Sequence, residues 1–299
     1  MDISKYSDAL VAHLEHKVTL KEPASLYEPI KYILTLGGKR LRPVLTLMSA
    51  DFFGGNYKQA LDASLAVEMF HNFSLVHDDI MDNAPLRRGH QTVHEKWDVN
   101  TGILSGDAML ILAYQLFETY EPKVFTQLAV LFSKTALEVC EGQQYDVDFE
   151  TRTDVTIAQY IKMIEYKTAV LIGASLQMGA IIANASPSCQ EKIYAFGKNL
   201  GIAFQLQDDY LDAFGNPLTF GKQVGGDIIA NKKTFLYLTA LQKSSPSDAQ
   251  ELATLFATMP KDPSDKITAV KEIFVCSGAA KATEDEIARY TNTSISLLQ

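Results

Sequence analysis

One periodicity runs through nearly the whole chain. Apolar residues recur at intervals of three and four, as in Leu61, Leu65, Met69 and Phe73, or Leu128, Leu131, Ala136 and Val139. That spacing marks one face of an α-helix, and no run of alternating β-branched residues competes with it. Glycine and proline punctuate the sequence sparsely, at Gly37-Gly38, Gly54-Gly55, 83–89, Glu121-Pro122, 151–154, Ser186-Pro187, 215–226, 244–248 and 260–263. About ten helices fit between these breaks, many longer than the ~11–12 residues usual for a globular helix. No Ser/Gly/Pro-rich linker divides them. The expected fold is therefore all-α: residues 1–299 as a single domain, a bundle of long helices around a deep central cavity.

The charge balance, 27 basic against 36 acidic residues and a formal net charge of -9, gives no surface-wide attraction for nucleic acid. An anionic substrate would need a local basic cluster. Cys140, Cys189 and Cys276 are odd in number and far apart, with no zinc spacing, which fits a reduced, cytoplasmic setting. The N-terminal segment carries acids and histidines throughout and lacks the basic start and apolar run of a signal peptide. The most apolar stretch, Ala169 to Ala185, contains Gln177 and two glycines and reads as a buried helix, so no integral membrane segment is expected.

Two acidic clusters share one spacing. Asp78-Asp79-Ile80-Met81-Asp82 follows HNFSLVH, and Asp208-Asp209-Tyr210-Leu211-Asp212 follows GIAFQLQ. On a helix, residues four apart share a face, so Asp78 stands with Asp82 and Asp208 with Asp212. Like charges so placed destabilise an apolar helix unless something compensates them. A hard divalent cation would do so: Mg²⁺ takes oxygen ligands and is typically held by one or two carboxylates plus substrate phosphates. A solvated acidic helix end is the plainer reading of either cluster alone, and the exact duplication argues against it.

Cations stand nearby in sequence. Arg87 and Arg88, adjacent in a loop, would point in different directions and so serve two different anions. Guanidinium suits phosphate because it binds in a bidentate manner and stays charged. In GGKRLRP the glycines bring the backbone close, and Lys39 and Arg42 are expected one helical turn apart; a solvated turn is the alternative. His71 lies two turns before Asp78 on nearly the same face, although a lone helical histidine is more often structural. Lys167-Thr168 interrupts an apolar helix, Lys222 lies in the glycine-bearing segment 215–226, and Lys232 follows it. Snorkelling is the common explanation for such lysines. Gln205, three residues before Asp208, is placed to orient water or a phosphate.

Taken together, GGKRLRP, HNFSLVHDDIMDNAPLRRG, GQQYD, YKTA, FQLQDDYLD and GKQVGGDIIANKKTF resemble the trans-prenyl diphosphate synthases, the farnesyl and geranylgeranyl diphosphate synthase family. The motifs stand in family order over residues 37–235. The resemblance implies an isoprenoid-synthase type of helical fold, usually a homodimer, with three Mg²⁺ ions held between the acidic clusters and an allylic diphosphate. It implies Asp78, Asp82 and Asp208 as direct metal ligands. Asp79, Asp209 and Asp212 would hold waters or neighbouring cations. Arg87, Lys167, Lys222 and Lys232 would bind the allylic diphosphate, and Lys39, Arg42, His71 and Arg88 isopentenyl diphosphate. Thr168 and Gln205 would line the cation region. Two departures stand out: Asn231 where the family commonly has glycine, and a C-terminus, TNTSISLLQ, without the basic tail of many farnesyl synthases.

The implied reaction is head-to-tail condensation of isopentenyl diphosphate with dimethylallyl, geranyl or farnesyl diphosphate, with the released diphosphate accepting the proton. Segment 215–226 is read as a lid over the diphosphate. The chain-length floor is sought before Asp78, at Ser74, Phe73 and Phe70. A small Ser74 with aromatic Phe73 and no insertion inside the first acidic cluster resembles archaeal-type geranylgeranyl synthases, favouring a C20 product over C15. A class I terpene cyclase and a non-catalytic subunit of a heteromeric synthase are the alternatives. The second acidic cluster and the paired arginines argue against the first, and the intactness of both clusters against the second.

Overall fold

The computed structural model describes residues 3–216 and 225–299. Lys222 and most of the expected lid lie outside the described residues. The remainder is helical almost throughout, as the periodicity requires, and sorts into two compact units. One holds the chain up to Ala136 together with Ala174–Tyr194; the other holds Leu137–Gly173 and the chain from Ala195.

In the first unit, α1 (Ser4–Lys17), α2 (Ala24–Thr35) and α3 (Leu41–Phe52) precede α4 (Leu61–Met81), which packs along α6 (Val99–Gln115). Helix α4 is buried over most of its length, from Ala63 to Phe70, at Asn72 and Phe73, and again at Val76 and Asp79. Its apolar residues explain that burial, but it also takes Glu68 and Asn72 inside, and these pair only in part: Asn72 Nδ2 donates to Glu68 Oε1 at 3.1 Å, while Glu68 Oε2 and Asn72 Oδ1 have no hydrogen-bond partner among the described residues. Ser64 Oγ donates to the Pro43 carbonyl at 2.9 Å, which fastens α4 to the start of α3. Past Asp82 the chain turns through Asn83 at φ 48° and forms a two-residue hairpin, β1 (Leu86–Arg87) against β2 (His90–Gln91), with Arg88 at φ 53° and Gly89 at φ 78° in its tip. Helix α5 (Val93–Lys96) leads into α6.

Helix α7 (Pro122–Thr151) runs from the first unit into the second. There α8 (Ile157–Ile164) opens with a reciprocal cap between Thr156 and Gln159, and passes through a π-helical turn, Glu165–Ala169, into α9 (Val170–Ile182). Single π turns inside helices often mark functional positions, because the extra residue re-aims the side chains around it. Helix α10 (Pro187–Phe214) carries the second acidic cluster at its end. Beyond the undescribed residues come α11 (Gly226–Ile229), α12 (Phe235–Lys243), α13 (Pro246–Leu255), α14 (Ser264–Cys276) and α15 (Ala279–Ser296). Tyr160, Leu206, Phe235, Leu252, Val270 and Phe274 centre the core of this unit. Segment 169–185 is the buried α9 and its end, and no helix among the described residues is long and apolar enough to cross a membrane.

One local expectation fails. Lys39 does not share a helical turn with Arg42. The helix starts only at Leu41, and Arg40, at φ 45°, takes the left-handed conformation before it, after Gly37 and Gly38 at φ 79° and 126°. Two glycines followed by a left-handed residue keep the chain from entering the helix earlier.

Candidate active site

In the first unit the end of α4, the hairpin, the 37–40 loop and the first turn of α3 gather predicted cations around two carboxylates. Asp79, 1% exposed, receives Arg87: Nε lies 2.8 Å from each carboxylate oxygen, and Nη2 2.6 Å from Oδ1. This is the strong, charge-assisted pairing that burial of a carboxylate requires. It fixes Arg87 against the acidic cluster. Arg88, next in sequence, goes elsewhere: Nη1 donates to the Gly37 carbonyl. A Cβ on Gly38 would meet only the movable end of the Arg88 side chain, so it is the φ of 126° that calls for glycine there. The two arginines point to different places, Arg87 from strand β1 and Arg88 from the left-handed tip that follows it.

Arg42 lies with His71, Nη1 to Nε2 at 3.3 Å. A guanidinium donates only, so this imidazole nitrogen accepts and the ring is neutral. Burial, reinforced by Arg42, Arg88 and Arg87, holds the His71 pKa well below its ordinary value. Glu68, 2% exposed, lies beneath the same group. Burial raises its pKa, while the Asn72 hydrogen bond and then Arg40, Arg88 and Arg42 oppose the rise. The sequence pattern gave no sign of Glu68, which sits inside an apolar helical run with its charged partners elsewhere in the chain. Lys39 is exposed on the loop. Asp78 is partly buried and Asp82 exposed at the end of α4. Ser74 Oγ donates to the His71 carbonyl at 2.9 Å, and Phe73 packs its ring on Phe70 at 5.6 Å and on His77 at 4.7 Å.

In the second unit a cavity of about 740 Å³ is lined by Asp208, Asp209 and Asp212 together with Lys167, Thr168, Gln205 and Lys232. The π turn presents Lys167 and Thr168 side by side. Lys167 Nζ donates to Asp146 Oδ2 at 2.5 Å, and Thr168 Oγ1 to Gln205 Oε1 at 3.1 Å. Gln205 Nε2 in turn donates to Asp209 Oδ1 at 2.9 Å, and Tyr160 OH donates to Asp209 Oδ2. The Asp212 carboxylate accepts from the Asp227 backbone N–H at 2.9 Å. Asp146 belongs to GQQYD, quoted above without a role; Tyr160 lies in an ordinary amphipathic helix and carried no signal at all. Asp209 is 7% exposed and its pKa is pushed up to about 7, chiefly by burial, then by Asp227, against the hydrogen bonds from Tyr160 and Gln205.

Such crowded carboxylates suit a hard cation. Among the described residues no three His, Cys, Asp or Glu side chains converge to cage a metal by themselves. Mg²⁺ takes one or two protein carboxylates and fills its octahedron with water and phosphate oxygens. Asp79, Asp209 and Asp212 each accept a hydrogen bond from the protein.

Comparison with known proteins agrees with this chemistry. The family model for polyprenyl synthetase matches residues 23–273. A geranylgeranyl diphosphate synthase of Methanosarcina mazei is 37% identical over 249 residues, 83% of this chain and 77% of that protein. A crystal structure of a geranylgeranyl pyrophosphate synthase superposes with a TM-score of 0.96 at 57% identity, covering 99% of this chain and 92% of the other. The geranylgeranyl pyrophosphate synthase of Corynebacterium glutamicum, crystallised with isoprenyl diphosphate and magnesium, superposes with a TM-score of 0.85 at 27% identity over all of this chain and 93% of its own. This chain belongs to the polyprenyl synthetase family.

Proposed function

We propose that the protein joins isopentenyl diphosphate to an allylic diphosphate and releases a C20 trans-prenyl diphosphate. It is a prenyltransferase of the short-chain class, and the duplicated acidic cluster with its separate cation sets is the observation that carries the reading. The two units act as one synthase domain, since a single family model runs across both. The active form is a homodimer working in the cytoplasm.

Each residue set has a chemical task. Asp78, Asp82 and Asp208 hold Mg²⁺, three ions in all, with Asp79, Asp209 and Asp212 orienting waters or neighbouring cations. When bound, the metal neutralises the diphosphate and acts as a Lewis acid toward the departing group. Arg87, Lys167, Lys222 and Lys232 take the allylic diphosphate and supply fixed positive charge where negative charge grows. Thr168 and Gln205, joined by a hydrogen bond, set an uncharged polar edge beside the developing allylic cation; neither is nucleophilic enough to trap it. Lys39, Arg42, Arg88 and neutral His71 hold isopentenyl diphosphate. Neutrality matters for His71, because it accepts from Arg42 and so aims that guanidinium while donating through its other nitrogen.

The test is turnover by the purified protein of isopentenyl diphosphate with dimethylallyl, geranyl or farnesyl diphosphate, with and without a chelator. We expect elongation only with Mg²⁺. Asp78→Ala and Asp208→Ala should each lose several orders of magnitude in kcat while remaining helical by circular dichroism. Cyclisation of an allylic diphosphate without use of isopentenyl diphosphate, no turnover in the absence of another subunit, or near-normal turnover in either variant would defeat the proposal.

A further inference from the structure

Lys266 lies on α14, far in sequence from every motif, yet it is only 4% exposed. Its ammonium donates to Asn231 Oδ1 at 2.5 Å and to the Thr258 carbonyl at 2.9 Å, and no carboxylate is among these partners. Asn231 Nδ2 also reaches the Thr258 carbonyl, at 3.4 Å. A lysine ammonium removed from water without a counter-ion is unfavourable, and burial lowers its pKa accordingly. An arrangement with that penalty calls for a compensating role, and the position of Asn231 supplies one. Asn231 stands at φ 57°, a left-handed conformation that turns the chain sharply, and the next residue is Lys232, exposed and lining the cavity.

The other side of Lys232 is also tied. Lys233 Nζ donates to the carbonyls of Phe149 and Glu150, at 2.6 and 2.9 Å, near the C-terminus of α7. There a lysine satisfies carbonyls that the helix leaves open. The backbone N–H of Lys232 bonds the Asp227 carbonyl at 2.9 Å. Lys232 is thus set between two anchored neighbours, one clasped by α14 and the other by α7, in a segment that would otherwise be an extended loop.

We propose that Lys266, through Asn231, is a positioning residue of the diphosphate site: it locks the left-handed turn that presents Lys232 to the cavity. The inference rests on the reading of Lys232 as a diphosphate ligand. Lys266 itself touches no substrate.

The experiment compares Lys266→Met, Asn231→Gly, the double variant and Lys232→Ala. Glycine keeps the left-handed turn available and removes only the amide clasp. Binding of inorganic pyrophosphate at saturating Mg²⁺ is measured by calorimetry, beside KM for each substrate and the melting temperature. We expect Lys266→Met and Asn231→Gly each to weaken pyrophosphate about fivefold to tenfold. Each should raise KM for the allylic substrate by a similar factor and leave KM for isopentenyl diphosphate within twofold. The double variant should be no worse than either single one, since both break the same clasp. Pyrophosphate binding within twofold of wild type in the folded variants, with Lys232→Ala impaired, would overturn the proposal; so would a lowered melting temperature without any change in affinity. Should Lys266→Met fail to fold, Asn231→Gly decides alone. Unchanged binding in Lys232→Ala would instead remove Lys232 from the site, and the positioning role would fall with it.

Discussion

His71 behaves differently in the fold from a histidine in solvent. Its half-buried ring lies beside Arg42, and desolvation, with Arg42, Arg88 and Arg87 adding positive potential, holds its pKa well below 6.5. An unfolded chain takes up a proton at this histidine below 6.5, whereas the native protein does not until a lower pH. The stabilising contribution is therefore fully present above pH 6.5 and is lost as pH falls toward the folded value. At its steepest such a group contributes about 1.4 kcal/mol per pH unit. We expect the stability of wild type to fall between pH 7 and pH 5 more steeply than that of His71→Gln, by chemical denaturation at each pH. Parallel curves would show that the ring takes up its proton at the same pH in the native protein as in the unfolded chain. The arginine pair gives a second test. Arg87 is seated on buried Asp79, whereas Arg88 lies on the Gly37–Gly38 backbone. Arg87→Ala should raise KM mainly for the allylic substrate and Arg88→Ala mainly for isopentenyl diphosphate, each by roughly 1.5–3 kcal/mol of lost charge-assisted bonding. Equal effects of both variants on both constants would refute the division.

Elements, rather than residues, decide how Lys167 and Thr168 are presented. Helix α7 approaches the π turn so closely that a Cβ on Gly142 would lie 2.2 Å from the Lys167 backbone nitrogen and 2.7 Å from its Cα. Backbone cannot swing aside as a side chain can. Gly142→Ala should therefore push the π turn away from α7, and overpacking of this kind destabilises by about 1–3 kcal/mol. Because Lys167 is bonded to Asp146 on α7, the same shift should lower kcat beyond what stability explains at temperatures where the variant is fully folded. Wild-type kcat there would show that the turn tolerates displacement. The element scale also marks where sequence reading succeeds. Helix-forming period and the i, i+4 carboxylates are local patterns, so α4, α10 and both acidic clusters were legible. Arg87 and Gln205 are conspicuous because they stand close in sequence to the acidic clusters whose Asp79 and Asp209 they bond. Tyr160 bonds Asp209 across 49 residues and Lys266 bonds Asn231 across 35, and such pairs leave no mark on any local pattern. Lys39 was misplaced for a different reason: the left-handed Arg40 delays the helix, and arginine at such a position carries no sequence signal.

For the molecule as a whole the measurable property is product length, and the first unit supplies the residues for that argument. Phe73 is 9% exposed and leans on Phe70 and His77. Phe70 is fully buried and packed edge-on against Phe132 at 5.2 Å, which itself receives Phe117 at 5.2 Å and Tyr114 at 4.8 Å. The two phenylalanines are therefore unequal as walls. Phe73 is the outer ring, held mainly by stacking on its own helix, while Phe70 is locked in a four-ring cluster whose disruption would leave a core cavity, costing about 3–5 kcal/mol. With Ser74 small and its hydroxyl turned back to the His71 carbonyl, Phe73 is the first bulky ring before Asp78 on α4 apart from His77. A floor at Phe73 corresponds to the C20 product proposed for wild type. Phe73→Ala should then lengthen the main product by one five-carbon unit and stop there, because Phe70 stays in place. The double variant Phe73→Ala/Phe70→Ala should run further but melt at a markedly lower temperature. Chain-length analysis of the three proteins by mass spectrometry separates the possibilities. An unchanged product from Phe73→Ala moves the floor to another helix. A single variant that already gives a broad ladder of long products shows that Phe70 is no barrier. A wild-type product of C30 or more removes α4 as the determinant of length altogether.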